Sequence, residues 1–137
     1  MIVNDRPPNF DKIVAVFPGA ADPGVIFAYD GCIYHPTGGI IPPALIAHED
    51  VHLKRQVDEG ADRWWHRYVL DSEFRYNEEL LAQVAEFKTL RNVRDRNHGA
   101  RLLMSTALRL IAPLYKYNPP RTLQQALKDL QREIARK

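Results

Sequence analysis

The segment Ile46-Ala47-His48-Glu49-Asp50-Val51-His52 holds the residues best suited to chemistry. Two histidines four residues apart share one face of a helix, so both imidazoles can reach a single metal ion. Glu49 lies about 100° around the helix from His48, beside that ion but not bound to it. A water activated by zinc needs a carboxylate base in such a place. The pattern therefore predicts Zn²⁺ bound by His48 and His52, with Glu49 as the general base.

Two imidazoles are too few, because a catalytic zinc ion usually has three protein ligands and a water. The candidates for a third ligand further along the chain are His66, Glu73, Glu78, Glu79 and His98. Glu78 and Glu79 lie inside a long predicted helix, and the small Ala82 one turn later would let two helices approach closely. Neighbouring helical residues differ in direction by about 100°, so at most one of these two glutamates points well at the metal. The other is an ordinary helix charge.

The motif must be positioned by helices, and the sequence predicts several. Pro42-Pro43 opens a helix that runs to Glu59 and stops at Gly60. Asp62 caps a short helix with Trp64 and Trp65, one of which we expect in the core and the other at a surface or cleft. The remaining predicted helices run from Ser72, capped by Asp71, to about Asn92, from Ala100 to Ala112, and from the Thr122 capping box to Ile134, with a break at Asn97-His98-Gly99.

The N-terminal part predicts a small β element. Two β-prone runs, Val25–Tyr29 and Cys32–His35, flank Asp30-Gly31, a pair that accepts the positive φ of a tight hairpin turn. Ile13–Phe17 is predicted as a further short strand, ended by Pro18-Gly19. The expected fold is therefore α+β and mostly helical: a small N-terminal β-hairpin or sheet followed by four to five helices, in a single domain of residues 1–137.

Composition sets the outer limits. The 137 residues are 45% hydrophobic and 26% charged, as in one soluble globular domain. A stretch of 18 apolar residues does not occur, so we expect no membrane span. Cys32 is the only cysteine, which rules out an internal disulfide and a cysteine-based metal site. The first residues lack the apolar core of a signal peptide, which predicts a cytoplasmic protein.

Charge is unevenly distributed along the chain. Residues 1–86 hold 7 Lys/Arg and 14 Asp/Glu, whereas residues 87–137 hold 12 and 3. Lys88, Arg91 and Arg94 share a helical face by spacing, which is the feature that would favour a polyanion. Aromatic residues do not interleave with the basic residues from Arg91 to Arg109, so stacking on nucleic acid is not supported. We interpret the basic part mainly as a solvated and partly self-paired surface.

Several further side chains could support the site. Tyr68, Tyr76, Tyr115 and Tyr117 are each candidate donors to a developing oxyanion, and the spacing does not choose among them. Asp50 or Asp71 could accept a hydrogen bond from a ligand imidazole. His35 ends a strand before the metal helix. It either lines a cleft in which that strand pairs with an extended peptide or is an exposed strand-end residue.

The spacing His48-Glu49-x-x-His52, with Glu79 27 residues after His52, resembles the zincin metallopeptidases of the gluzincin type. In several of those families the third ligand opens a Glu-x-x-Ala stretch, which Glu79-Leu80-Leu81-Ala82 matches. The resemblance implies a minimal zincin-like fold, Glu79 as the third zinc ligand, and a peptide or protein substrate. Gln83 stands where an Asp often follows the Ala in those families.

Residues from about Ala28 to Ala82 are also similar to small metallopeptidase-like proteins of phages and bacterial prophages. The shared features are the Tyr34-His35-Pro36 strand end, the Gly-Gly-Ile-Ile-Pro-Pro lead-in, the His-Glu helix, Trp64-Trp65-x-Arg67-Tyr68 and Phe74-Arg75. This resemblance implies virion association and an assembly partner if a phage encodes the chain. The leading interpretation is a zinc-dependent metallopeptidase. The alternative is a non-enzymatic virion or assembly protein with a vestigial or structural metal site.

Overall fold

The structure is a computed structural model that describes residues 1–91 and 95–136. Within them the strands are β1 (Ile2–Val3), β2 (Phe27–Tyr29) and β3 (Cys32–Tyr34), and 3₁₀ turns span Pro18–Ala21 and Pro113–Tyr115. The described helices are α1 (Phe10–Val16), α2 (Pro43–Glu59), α3 (Ala61–Leu70), α4 (Ser72–Leu90), α5 (Arg96–Leu110) and α6 (Leu123–Ala135). The predicted mostly helical α+β class is confirmed, and five of these helices follow the hairpin.

Local sequence signals account for several helix ends. Helix α2 has the predicted bounds, with Pro43 in its first turn and Gly60 after its last residue. The Asp71 carboxylate accepts a hydrogen bond from the Phe74 N–H at 3.0 Å and begins α4. Thr122 begins α6 in the same way. These caps satisfy N–H groups that have no partner inside the helix. Helix α4 ends at Leu90, and Asn92 lies outside the described residues.

The predicted strand at Ile13–Phe17 is wrong, because this segment belongs to α1 and the turn that follows it. Ile13 and Phe17 lie four residues apart, on the face of α1 that is buried against Trp65 and Tyr68. Their β-branched and aromatic neighbours favour a strand only weakly. Burial of a helical stripe outweighs that preference.

Two predicted helix boundaries are also wrong. Asn97-His98-Gly99 does not break a helix but forms the first turn of α5, which Asp95 caps by accepting from the His98 N–H at 3.1 Å. Asp62 does not cap α3, because Gly60 occupies that position with φ of 86°. Asp62 instead accepts a hydrogen bond from the Tyr29 hydroxyl at 2.6 Å, which ties α3 to the hairpin.

The sheet has the strand order β1-β3-β2. β2 and β3 are antiparallel, and Asp30 and Gly31 between them have φ of 46° and 80°, so the predicted hairpin is confirmed with shorter strands. β1 pairs with β3 in parallel and was not predicted. Its two residues are too few to show an alternating pattern.

Two apolar clusters form the core of the described residues. One joins α4, α5 and α6 through Leu80, Leu110 and Leu130, and the other joins α1, β2 and α3 through Phe27 and Trp64. Helix α2 packs mainly against α4, and also against α3 and β2. None of the described helices is both long and apolar enough to cross a membrane.

Candidate metal centre

The structure brings together the three residues predicted as metal ligands. His48 and His52 project from successive turns of α2, and Glu79 projects from α4. One ligand atom from each lies within 4.8 Å of the other two, and all three side chains are buried. This group could hold a metal ion.

Helix packing explains why Glu79 and not Glu78 reaches the histidines. Ala82 is fully buried where α4 meets the core, as the close approach of two helices requires. Glu78 is also buried, but it points to a different place. Its carboxylate accepts from the Trp64 indole N–H and the Arg55 guanidinium, each at 2.8 Å. Glu78 therefore forms a structural ion pair with Arg55.

The other candidate third ligands lie elsewhere. Glu73 is exposed and pairs with Arg121. His66 is exposed on α3. A ring nitrogen of His98 lies 3.3 Å from the Leu90 carbonyl oxygen at the start of α5. Among the described residues, none of these three joins the group around His48.

The donor set fits a divalent metal. Nε2 of His48 lies 3.2 Å from Glu79 Oε2, and Nε2 of His52 lies 3.2 Å from Glu79 Oε1. Two ligand atoms of a tetrahedral zinc ion are separated by about 3.3 Å, given metal–ligand distances of about 2.0–2.1 Å. Glu79 Oε2 is buried and makes no hydrogen bond with a described residue. Two imidazoles therefore lie against the two oxygens of one buried carboxylate, an arrangement that a metal ion would join.

A second layer of side chains orients these ligands. The Tyr68 hydroxyl donates to Glu79 Oε1 at 2.7 Å. Glu86 Oε1 lies 3.0 Å from His48 Nδ1, and its other oxygen lies 3.3 Å from the Arg109 guanidinium. A carboxylate at Nδ1 fixes the imidazole so that Nε2 faces the metal. Sequence reasoning missed Glu86, although its spacing of seven from Glu79 places both on one face of α4.

Neither aspartate predicted for that supporting role performs it. Asp50 is exposed on the opposite side of α2, and Asp71 is engaged as the cap of α4. The prediction that Asp50 faces away from the metal agrees with its exposure. Asp71 is prevented from reaching the site by its bond to the Phe74 N–H.

For each ligand, burial and the neighbouring charges shift the pKa in opposite directions. Burial alone would lower the pKa of His48, but Glu79 and Glu86 beside it raise that pKa well above 6.5. Burial alone would raise the pKa of Glu79, but His52 and His48 hold it well below its usual range. Without a metal, the group is therefore a buried pairing of a protonated imidazole with a carboxylate.

Glu49 differs from the ligands in its surroundings. Burial raises the pKa of its carboxyl above the ordinary value, although His48 and His52 partly offset the effect. Glu49 lines the same cavity as both histidines, and no hydrogen bond from a described residue occupies its carboxylate. A carboxylate with a raised pKa and no hydrogen-bond partner among the described residues holds a proton more readily than an ordinary glutamate, as a general base must.

The ligand group lies at one side of a cavity of about 100 Å³. The described residues that line it include no Lys or Arg. Its apolar walls come from α1, α3, β2, the 3₁₀ turns and the segments that connect them, namely Ile13, Phe17, Ala20, Val25, Ile26, Phe27, Ala28, Trp65 and Leu114. Both tryptophans are buried, Trp64 in the core and Trp65 at the cavity wall, which agrees with the expectation of one core and one cleft position.

The four candidate tyrosines differ in the hydrogen-bond partners of their hydroxyl groups. Tyr68 donates to Glu79, Tyr76 donates to Asp129 at 2.7 Å, and Tyr117 donates to the Leu110 carbonyl at 2.8 Å. The Tyr115 hydroxyl is hydrogen-bonded to none of the described residues, and Tyr115 lines the same cavity as Glu49. Burial and then Glu79 raise the pKa of Tyr115 well above 10, so its hydroxyl stays protonated and able to donate.

The edge of β2 that borders the cavity is covered by side chains. The Ala28 carbonyl accepts from the Gln56 amide and from the Trp65 indole N–H, each at 2.9 Å. The Gln56 carbonyl oxygen accepts from the Asp30 N–H at 3.0 Å. An extended peptide therefore cannot pair with β2 at Ala28.

His35 is buried just after the end of β3. It is neither exposed nor among the described cavity-lining residues, so both predicted roles for it are wrong.

No protein-family model matches the chain, and no curated protein or solved structure matches it either. The function is therefore inferred from the geometry of this site.

In the basic segment, Arg94 lies outside the described residues, so the predicted shared face of Lys88, Arg91 and Arg94 stays a prediction.

Proposed function

We propose that the protein is a zinc-dependent metallohydrolase, most simply a metallopeptidase that hydrolyses peptide bonds. The observation that carries the proposal is the convergence of His48, His52 and Glu79 on one point, with Glu49 on the same cavity wall and not in the ligand group. A purely structural zinc site is closed by four protein ligands, whereas a catalytic site has three and an open position. The described residues supply three.

Zinc bound there would polarise a carbonyl and lower the pKa of a water molecule. Glu49 then takes a proton from the attacking water and later delivers it to the leaving amine. Its raised pKa suits both transfers, since a base that is too acidic would not hold the proton between the steps. Tyr115 is the one candidate tyrosine whose hydroxyl is free to donate to the substrate's carbonyl oxygen.

The cavity supports an uncharged substrate group. Its apolar lining favours an apolar side chain, and because the described lining has no Lys or Arg, a free carboxylate or a phosphate would find no cationic side chain there. A peptide bond flanked by an apolar residue satisfies both conditions. This favours peptide hydrolysis over chemistry on an anionic substrate.

The decisive experiment compares Glu49→Gln with Asp50→Asn, a neighbouring acid-to-amide change at an exposed position. Each protein is purified without chelators, its zinc content is measured by mass spectrometry, and hydrolysis of a broad peptide library is followed. Glu49→Gln should retain zinc and lose about 10²-fold or more of the turnover, while Asp50→Asn keeps both. Equal activity of Glu49→Gln and the wild type would exclude Glu49 as the base. A zinc-loaded wild type that cuts nothing would favour a structural metal site in an assembly protein.

A further inference from the structure

Arg75 on α4 is a buried guanidinium, 4% exposed, whose hydrogen bonds within the described residues go to backbone carbonyls. Nη1 donates to the Tyr68 oxygen at 2.7 Å and the Val69 oxygen at 3.3 Å. Nε donates to the Tyr115 oxygen at 2.6 Å, and Nη2 donates to the Lys116 oxygen at 3.0 Å. One side chain thus joins the end of α3 to the 3₁₀ turn at Pro113–Tyr115.

The environment explains how a charge without a carboxylate is tolerated here. Tyr68 and Val69 lie in the last turn of α3, where carbonyl groups lack helical partners and carry the negative end of the helix dipole. The guanidinium carbon also lies 5.0 Å from the centre of the Phe17 ring. Bonds to carbonyls on two separate segments need the planar, five-donor group of arginine, which the single ammonium of lysine does not reproduce.

Two of the four carbonyls that Arg75 holds belong to Tyr68 and Tyr115, the two described tyrosines that line the cavity. The Tyr68 side chain donates to the carboxylate of Glu79, and the Tyr115 hydroxyl, which is hydrogen-bonded to none of the described residues, belongs to the same cavity lining as Glu49. Tyr115 comes from a turn of only three residues and is followed by Lys116 in a left-handed conformation with φ of 49°. Such a turn has little rigidity of its own, so its position depends on what anchors it.

We propose that Arg75 is a positioning residue of the metal centre. By holding the main chain at Tyr68 and Tyr115, it sets where one phenol meets the Glu79 carboxylate and where the other meets a ligand bound at the metal. The second part rests on the proposed function. A purely structural Arg75 would affect stability alone, whereas a positioning residue acts on ligand binding through Tyr115.

The test is a double-mutant cycle on the zinc-loaded full chain, with acetohydroxamate as the probe. Its affinity is measured by calorimetry for the wild type, Arg75→Lys, Tyr115→Phe and the double variant. Arg121→Lys is the matched control, because Arg121 also lies over a tyrosine ring, that of Tyr76, but outside the cavity.

Tyr115→Phe should weaken acetohydroxamate binding about tenfold, the value of one good hydrogen bond. Arg75→Lys should weaken it to a similar extent, and should add little in the Tyr115→Phe background. Arg121→Lys should change the affinity by less than about twofold. The proposal is overturned if Arg75→Lys leaves the affinity unchanged, or if its loss is the same with and without the Tyr115 hydroxyl.

A second measurement covers the case in which Arg75→Lys does not fold. 3-Fluorotyrosine is placed at position 115 of the otherwise unchanged chain, without zinc, and fluorine NMR spectra are recorded over a range of temperature. A fixed Tyr115 gives at most two resonances, one for each orientation of the singly fluorinated ring. Further resonances, beyond the two that a 180° ring flip exchanges, would show that Arg75 does not hold the turn in one position and would overturn the proposal. Because this readout needs no metal, it is independent of whether the protein binds zinc or hydrolyses peptides.

Discussion

Exchanging Glu79 and Glu78 one at a time for glutamine separates the metal centre from the fold. The two are adjacent on α4 and both buried, yet they face different partners. Glu79 faces His48 and His52, whereas Glu78 binds Trp64 and Arg55. Glutamine keeps the size of each side chain and removes the negative charge. The two variants should therefore show opposite patterns of stability and zinc response.

The magnitude of the zinc response follows from binding linkage. Zinc at a hundredfold its dissociation constant stabilises the folded state by about 2.7 kcal/mol. For a chain of this length each kcal/mol shifts the unfolding midpoint by about 4 °C, so zinc should raise the midpoint of the wild type by about 10 °C. Glu79→Gln loses a charged ligand, and its midpoint should barely respond to the same zinc concentration.

Glu78→Gln should behave in the reverse way. It loses a charge-assisted hydrogen bond to Arg55, whose side chain is half exposed, and keeps an acceptor for the Trp64 indole. This costs about 1–2 kcal/mol, which lowers the metal-free midpoint by about 4–8 °C. The further rise on adding zinc should remain about 10 °C, because the ligands are intact.

Differential scanning fluorimetry, with and without zinc after chelator treatment, measures all six midpoints of the wild type and the two variants. A zinc response that survives Glu79→Gln and disappears in Glu78→Gln would move the ligand by one residue and refute the helix packing argument. A wild type with no zinc response at all would refute the metal centre itself. Neither result can be attributed to a general loss of stability, because each variant serves as the control for the other.

Three further outcomes are expected. Glu86→Gln should lower zinc affinity about 10–100-fold in a chelator competition assay, since Glu86 orients His48 through Nδ1; an unchanged affinity would remove that role. Zinc should be released on acidification from above pH 6.5, because the raised pKa of His48 lets protons compete with the metal at higher pH than at an ordinary histidine. Calorimetric titration across pH checks this, and tight binding retained at about pH 5 would contradict it. Asp71→Ala should lower the free energy of unfolding in urea by about 1 kcal/mol through loss of the α4 cap, and an unchanged value would mean that the cap contributes nothing.

The parts of the fold that sequence reasoning found are those governed by local chemistry. Gly60 after α2 and the caps at Asp71 and Thr122 act within four residues of their targets, so their signals lie in short windows. The segment at Ile13–Phe17 was predicted as a strand. Its helical conformation is stabilised by packing against Trp65 and Tyr68, which lie about fifty residues away in the sequence. Local secondary-structure propensity carries no information about a packing partner that is so distant in the sequence.

The site shows the same division. His48, Glu49 and His52 are fixed by helical spacing alone, whereas the place of Glu79 was found through a resemblance and Tyr115 was left among four candidates. Tyr115 reaches the cavity because Arg75 anchors its carbonyl, and a bond from a side chain to a backbone oxygen 40 residues later leaves no pattern in the sequence. Side chains that act through backbone anchors are identified only once the chain is folded.

The charge of the buried site gives a physical reason for expecting a cation. Glu49, Glu79 and Glu86 are all buried within one group of side chains, and the guanidinium that reaches them is that of Arg109, at Glu86. Three carboxylates against one guanidinium leave two formal negative charges among neutral imidazoles. Burying unpaired carboxylates costs several kcal/mol each, and apolar residues of similar size would pack α2 against α4 at no such cost. A divalent cation would neutralise both charges. Without a metal, Glu79 and Glu86 raise the pKa of His48, and a proton on that imidazole offsets one of the two charges. These buried carboxylates would destabilise a core that binds no cation, and a bound divalent metal would remove that cost.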